Sequence, residues 1–251
     1  MSDRKKIFGT PDIILAPSFM ACPGCQHPTI GRIAVEAMME LGIDGKTVAI
    51  MGVGCTGGLL GMTNIDVMLP AHGRGPDAAS AIKRVRPDTI VWTLQGDGDS
   101  MAIGAGPFVG ALNRGEKITI IMGNNTNYGT TGGQLSPTTM MNQTTTTSPN
   151  GRASENEGYP VHAAEMAATF KGCAYSARSA LTSPAGYKKT KKYIKTAFQK
   201  QIDNVGLSFV EVISACPLNW RKPPVECLEW IDNVVLKELP VGEYKNVDRI
   251  E

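Results

Sequence analysis

Residues 89–99 run Thr89-Ile90-Val91-Trp92-Thr93-Leu94-Gln95-Gly96-Asp97-Gly98-Asp99. The first six form a mostly apolar run with no polar face, and two glycines and two carboxylates follow at once. A strand apolar on both faces belongs to a parallel sheet covered on both sides. A glycine-rich turn at its carboxyl end is where such sheets take ligands. Residues 100–114, rich in small side chains, predict the helix that follows.

The same alternation extends outward from this unit. Upstream, Ile30, Ile33, Ala34, Ala37, Met38 and Leu41 recur on one face of a helix over 28–42, with Gly42 to stop it. Thr47 to Val53 reads as a strand that ends in Gly54-Cys55-Thr56-Gly57-Gly58. A helix over 76–85 presents Ala78, Ala79, Ile82 and Val85. Downstream, Ile118 to Met122 is a strand that ends in Gly123-Asn124-Asn125. Segments 161–170, 173–179, 184–204 and 207–214 continue as helix, strand, helix, strand. The fold predicted is α/β, a mostly parallel sheet with helices on both faces. Residues 1–251 are read as one domain, with 217–251 as a C-terminal tail carrying a Pro-rich turn, a short helix near 225–237 and a polar end. No internal repeat is visible.

Composition narrows the classes of function. The chain has 251 residues, 25 basic and 23 acidic side chains, and a net charge of +2. That balance excludes a dedicated nucleic-acid binder, which needs a marked basic excess. Hydrophobic residues at 42% supply a core. No run of about 18 apolar residues exists to span a membrane. The opening Met1-Ser2-Asp3-Arg4-Lys5-Lys6 lacks the apolar region of a secretory signal, so a cytoplasmic location is expected. The 28 glycines cluster at strand ends, and the 6 cysteines are too few for a disulfide scaffold. In a cytoplasmic chain they are free, catalytic or metal-bound.

Two segments break the pattern. Residues 135–160 carry Thr144 to Thr147 and no periodicity, and a loop that long in a compact domain is functional or disordered. Lys188, Lys189, Lys191, Lys192 and Lys195 crowd one helix, where Ile194, Phe198 and Ile202 mark the buried side. The lysines then form a solvated outer face or a docking surface for an acidic partner.

The turn Gly96-Asp97-Gly98 suits a phosphate. Glycines admit backbone N–H groups to it, and the helix N-terminus favours the anion. A carboxylate beside a phosphate repels it unless a cation lies between, so Asp97 reads as a ligand to Mg²⁺. Further oxygen ligands are expected from the neighbouring strand end, where Asn124-Asn125-Thr126-Asn127 stands. Asp99 reads as the N-cap of the next helix or a further cofactor contact.

Cys22-Pro23-Gly24-Cys25 is a C-x-x-C that could be a zinc half-site, a redox dithiol or an iron–sulfur half-site. Cys55 and Cys216 stand in loops at strand ends, and Cys216-Pro217 also occurs in iron–sulfur runs. These four thiolates could close on one [4Fe–4S] cluster or on zinc. Cys173, in a strand, and Cys227, on the tail helix, read as packing residues.

The spacing from Gly-Asp-Gly to the Asn pair resembles the thiamine-diphosphate-binding motif. With Gly52-Val53-Gly54-Cys55, His72-Gly73-Arg74, Tyr128-Gly129, Thr131-Gly132-Gly133-Gln134, Ser136-Pro137-Thr138-Thr139 and the cysteines, roughly residues 20–220 resemble the β subunit of 2-oxoacid:ferredoxin oxidoreductases. The resemblance implies the thiamine-diphosphate-binding fold, with Mg²⁺ on Asp97, Asn125 and the Asn127 carbonyl. It implies a [4Fe–4S] cluster on Cys22, Cys25, Cys55 and Cys216. Gly54, Cys55, Gly96, Asp97, Gly98, Asp99, Asn125, Asn127, Tyr128, Gly129 and Thr130 would contact the cofactor. His72 and Arg74 would touch diphosphate or the substrate carboxylate. Thr130 stands where many relatives carry Met, and Gln26 where Gly is common.

The activity implied is oxidative decarboxylation of a 2-oxoacid, with acyl transfer to coenzyme A and electrons to ferredoxin. 2-Oxoisovalerate is the first expectation for the acid and 2-oxoglutarate the second. An α-type subunit would supply the Glu that activates the aminopyrimidine, with γ and ferredoxin-like δ subunits as further partners. A non-redox thiamine decarboxylase subunit and a zinc-stabilised, non-catalytic assembly subunit are the alternatives.

Overall fold

The computed structural model describes residues 9–15, 20–59 and 63–250. The opening residues 1–6 lie outside them. Helix α1 (His27–Leu41) begins on Pro28, whose fixed φ suits the first turn, and ends at Gly42 in the left-handed conformation. Then come β1 (Thr47–Met51), β2 (Asp66–Met68), α2 (Gly75–Val85), β3 (Ile90–Gly96), α3 (Ala105–Arg114) and β4 (Thr119–Asn124). After the long loop follow α4 (Ser154–Glu157), α5 (Ala163–Thr169), β5 (Cys173–Ala180), α6 (Pro184–Ile202) and β6 (Leu207–Ile213). The tail holds α7 (Pro217–Trp220), α8 (Pro224–Trp230), α9 (Leu236–Glu238) and β7 (Gly242–Asn246).

The strands form one sheet in the order β2-β1-β3-β4-β6-β5-β7, parallel except for β7. The α/β expectation is therefore met. Helices α1 and α6 cover one face, where Ile33, Met38, Tyr193, Ile194 and Phe198 pack on Trp92, Leu94, Ile121 and Val210. On the other face Phe108, Leu112, Ala163 and Ala167 pack on Ile50, Val91, Ile120 and Phe209. A third cluster joins Ile231, Val235 and Leu239 of the tail to Ile213 and Met140.

The chain leaves β1 toward β2 and leaves β3 toward β4, in opposite directions along the sheet. A crevice opens between the carboxyl ends of β1 and β3, the place where such sheets bind ligands.

The structure departs from the sequence reading at several places. The helix expected over 100–114 is broken: a π-helical turn over Asp99–Ile103 precedes α3. Val85 is 75% exposed and Ile202 39%, so neither belongs to the core. Strands β2 and β7 were not anticipated. β2 has three residues, and β7 has the polar composition that argued for an irregular end. β7 holds its place through side chains that reach the core: Tyr175 donates to Glu243, and Arg178 to Tyr244. Loop 135–160 is ordered around one buried residue, beside bonds such as those of Thr139 and Gln143 to Thr126. The Arg152 guanidinium donates to the carbonyls of Ser136, Pro137, Thr139, Glu157, Gly158 and Tyr159.

Candidate cofactor and cysteine site

Loops after β1, β3 and β4 line a pocket formed in part by Val53, Gly54, Cys55, His72, Gly96 to Asp99, Asn125, Asn127 and Tyr128 to Thr131. At its floor lies Asp97, 1% exposed. Its Oδ2 accepts hydrogen bonds from Ser136 Oγ at 2.5 Å and Thr138 Oγ1 at 2.6 Å. Burial pushes this carboxyl up to about 6, opposed by the two hydroxyls. A cation in contact would favour the charged form.

The Asn125 side-chain amide lies 2.8 Å from the Asn127 main-chain oxygen and 3.0 Å from Asp97 Oδ1. With its nitrogen turned inward it donates to both. With its oxygen inward, three oxygens face one another, an arrangement that only a cation stabilises. The residues thus fit a divalent metal.

Gly96 and Gly98 do different work. A Cβ built on Gly96 meets nothing within 4 Å, so it would project into open pocket space. A Cβ on Gly98 would strike the Tyr128 ring at 2.3 Å. The ring lies against that turn, its hydroxyl donating to the Gly98 carbonyl at 3.2 Å.

Asp99 does not cap the next helix, since no side-chain cap bond forms there. Its carboxylate instead accepts from the Gly73 N–H at 2.7 Å and Gln95 Nε2 at 2.6 Å, and it pairs with His72 Nδ1. It therefore fixes the His72-Gly73 turn against the pocket and leaves His72 Nε2 clear of this bond. Arg74, 55% exposed, pairs with Asp77 at 3.5 Å and is not among the residues lining the pocket.

Cysteines 22, 25, 55 and 216 are brought together. Burial pushes the Cys25 thiol up to about 11; the His27 main-chain N–H opposes this, and the sulfurs of Cys55, Cys216 and Cys22 add to the rise. Cys55 Sγ lies 3.0 Å from Thr130 Oγ1, and Cys216 Sγ receives Asn219 Nδ2 at 3.5 Å. Asn219 also donates to the Gly129 carbonyl at 2.9 Å, which ties the two loops together. Gly24, at φ +77°, packs on Pro217 and Pro224. Among the described residues no three His, Cys, Asp or Glu side chains close on a single metal ion. Cys173 and Cys227 are buried apart in the core.

The sequence reading gave no role to several residues of the site. Ser136 and Thr138 stood out only as part of a motif. Thr138 also reaches Asn124 Oδ1 at 3.0 Å, and Asn124 donates to Glu211 at 2.7 Å. Glu211 in turn accepts from buried Arg178 at 2.8 Å. His27 also lines the pocket. Burial lowers it to about 4, partly offset by the Gly123 backbone, and neither ring nitrogen has a well-formed partner among the described residues. Its position two residues after the C-x-x-C was the available signal.

Comparison with known proteins agrees with this geometry. Residues 42–212 match the thiamine pyrophosphate enzyme, C-terminal TPP binding domain. The ketoisovalerate oxidoreductase subunit VorA of Methanothermobacter thermautotrophicus is 36% identical over 90% of this chain. The chain spans 47% of that relative's length. The 2-oxoglutarate synthase subunit KorB of Archaeoglobus fulgidus is 32% identical over 89% of this chain and 83% of its own. The solved 2-oxoglutarate:ferredoxin oxidoreductase from Magnetococcus marinus, with 2-oxoglutarate, coenzyme A and succinyl-CoA bound, superposes with TM-score 0.78 at 25% identity. That superposition covers 98% of this chain and 87% of the other. The fold and pocket define a thiamine-pyrophosphate-binding chain. It belongs to the β-subunit family of the 2-oxoacid:ferredoxin oxidoreductases.

Proposed function

We propose that the chain is the catalytic β subunit of a coenzyme-A-acylating 2-oxoacid:ferredoxin oxidoreductase, acting as one domain over 1–251 in the cytoplasm. The observation that carries this reading is a shared wall. Cys55 belongs to the four-sulfur neighbourhood and also lines the pocket floored by Asp97, Asn125 and Asn127. A carbon centre that must give up electrons and sulfurs that could take them would then be adjacent. A non-redox decarboxylase needs no such exit.

Asp97, Asn125 and the Asn127 carbonyl would hold Mg²⁺. Their separations of 2.8 and 3.0 Å match the roughly 2.9 Å edge of an octahedron with 2.0–2.1 Å metal–oxygen bonds. Gly96 leaves room for the diphosphate. His72, with Nδ1 committed to Asp99, has Nε2 left for a diphosphate or substrate oxygen. Cys22, Cys25, Cys55 and Cys216 would hold one [4Fe–4S] cluster. When bound, thiamine diphosphate supplies the electron sink for decarboxylation and the cluster a one-electron exit.

2-Oxoisovalerate is the substrate favoured, with 2-oxoglutarate second. The ketoisovalerate relative VorA is more similar to this chain than KorB of Archaeoglobus fulgidus is. An α-type subunit would supply the activating Glu, with γ and δ subunits and ferredoxin as further partners.

Iron analysis of anaerobically purified protein tests the cluster. About four irons and a visible absorption bleached by dithionite are expected; colourless protein with one zinc would overturn the assignment. Asp97→Ala should lose Mg²⁺ and thiamine diphosphate and keep the iron. Coenzyme-A-dependent dye reduction by the assembled complex over a panel of 2-oxoacids identifies the substrate.

A further inference from the structure

Cys22 is the exposed member of the four cysteines; Cys25 and Cys55 are half-buried and Cys216 is buried. Beside its loop runs a groove of about 570 Å³ lined by Gln26, Thr29, Leu181, Pro184 and Tyr187, with Lys188 and Lys191 at its rim. Gln26 staples the groove to the cysteine loop. Its Nε2 donates to the Leu181 carbonyl at 2.5 Å, and its Oε1 accepts the Ala215 N–H at 2.8 Å, one residue before Cys216.

The lysines on α6 divide into two sets. Lys191 and Lys195 are neutralised by Glu36 and Glu40 of α1 at 2.8–3.3 Å. Lys188, Lys189 and Lys192 are exposed and face no carboxylate among the described residues. Lys189 only overlies the Tyr193 ring at 5.6 Å. The opposite flank of the loop, the 217–224 turn packed on Gly24, carries Arg221 and Lys222, with Glu226 as the opposing charge on α8.

We propose that Lys188, Lys189 and Lys192, together with the groove beside the Cys22–Cys25 loop, form the docking surface for an acidic one-electron carrier protein. The proposal rests on the cluster assignment above, because electrons must leave through these cysteines. Three uncompensated cations on the helix whose N-terminal end borders the groove at the cysteine loop raise the encounter rate of an anionic partner and orient it toward that loop. The apolar groove supplies a small contact of the kind transient electron-transfer pairs use. The alternative on the same lysines, a merely solvated face, predicts no partner preference.

The test uses the assembled complex, an acidic ferredoxin as probe, and the double variant Lys188→Glu, Lys192→Glu. Zero-length carbodiimide cross-linking, mapped by mass spectrometry, should join ferredoxin carboxylates to Lys188, Lys189 or Lys192. In the variant the KM for ferredoxin should rise about tenfold or more at low salt, with kcat unchanged. The rate with methyl viologen, too small to need docking, should stay the same. Cross-links elsewhere, or a KM within about twofold of wild type, would overturn the proposal. If the wild-type complex reduced no viologen with any 2-oxoacid, the functional reading would fail, and the cross-link map alone would still decide the surface.

Discussion

At the residue scale, the two glycines of Gly96-Asp97-Gly98 separate binding from stability. Gly96→Ala adds a methyl where no protein atom lies within 4 Å. Its melting temperature should stay within about 2 °C of wild type, while thiamine diphosphate affinity, read by calorimetry, should fall about tenfold or more. Gly98→Ala drives a methyl into the Tyr128 ring and should cost about 1–3 kcal/mol in chemical denaturation. Asp97 and Asn125 were legible because residue type and spacing together imply oxygen ligands beside a phosphate. Asp99 was misassigned as a cap because adjacency favours the nearest helix. Its partners, His72 and the Gly73 N–H, lie 27 and 26 residues away in the chain, and no local pattern encodes them. Cys173 and Cys227 read correctly as packing residues from their apolar surroundings.

At the element scale, loop 135–160 depends on Arg152. A lysine ammonium has three donors and no planar fork, so it cannot reach six carbonyls. Arg152→Lys should therefore destabilise the protein by on the order of 3 kcal/mol and open the loop to limited proteolysis. Because the loop carries Ser136 and Thr138 to Asp97, cofactor affinity should fall with it. The charged group behind β5 and β6 responds in a different way. Arg178 and Glu211 are both fully buried, and Glu165 completes the set at the surface end. Glu211→Ala leaves Arg178 short of its buried partner and should cost about 3–5 kcal/mol by urea unfolding. Central strands were legible since both faces are apolar. β7 was not, because an edge strand is held by particular partners such as Arg178 and Glu243, not by its own hydrophobicity. The break before α3 went unseen as well: Gly104 is hemmed in by the Asp99 carbonyl and Gly73, a constraint set by tertiary contact.

At the scale of the whole molecule, the proposed function makes the pocket a half-site. It presents oxygens and glycines for the diphosphate end, and among the described residues the carboxylates lining it are Asp97 and Asp99, both already engaged. The chain alone should show no turnover with any 2-oxoacid in a dye-reduction assay, and adding the partner subunit should restore it; full activity from the isolated chain would contradict the proposed division of the site. The sheet order carries one more consequence, in time instead of space. β6 lies between β4 and β5, and both precede it in the chain. β4 and β5 therefore cannot settle as neighbours, and β6 must insert between strands that already await it, a non-local step that is slow in folding. Cys216 stands three residues past the end of β6, so the fourth sulfur reaches the other three only when the sheet closes. Iron offered to the unfolded chain would find a bare C-x-x-C and scattered thiols. Under the proposed cluster assignment, loading would be the last event of maturation, and the metal would report on a sheet already complete.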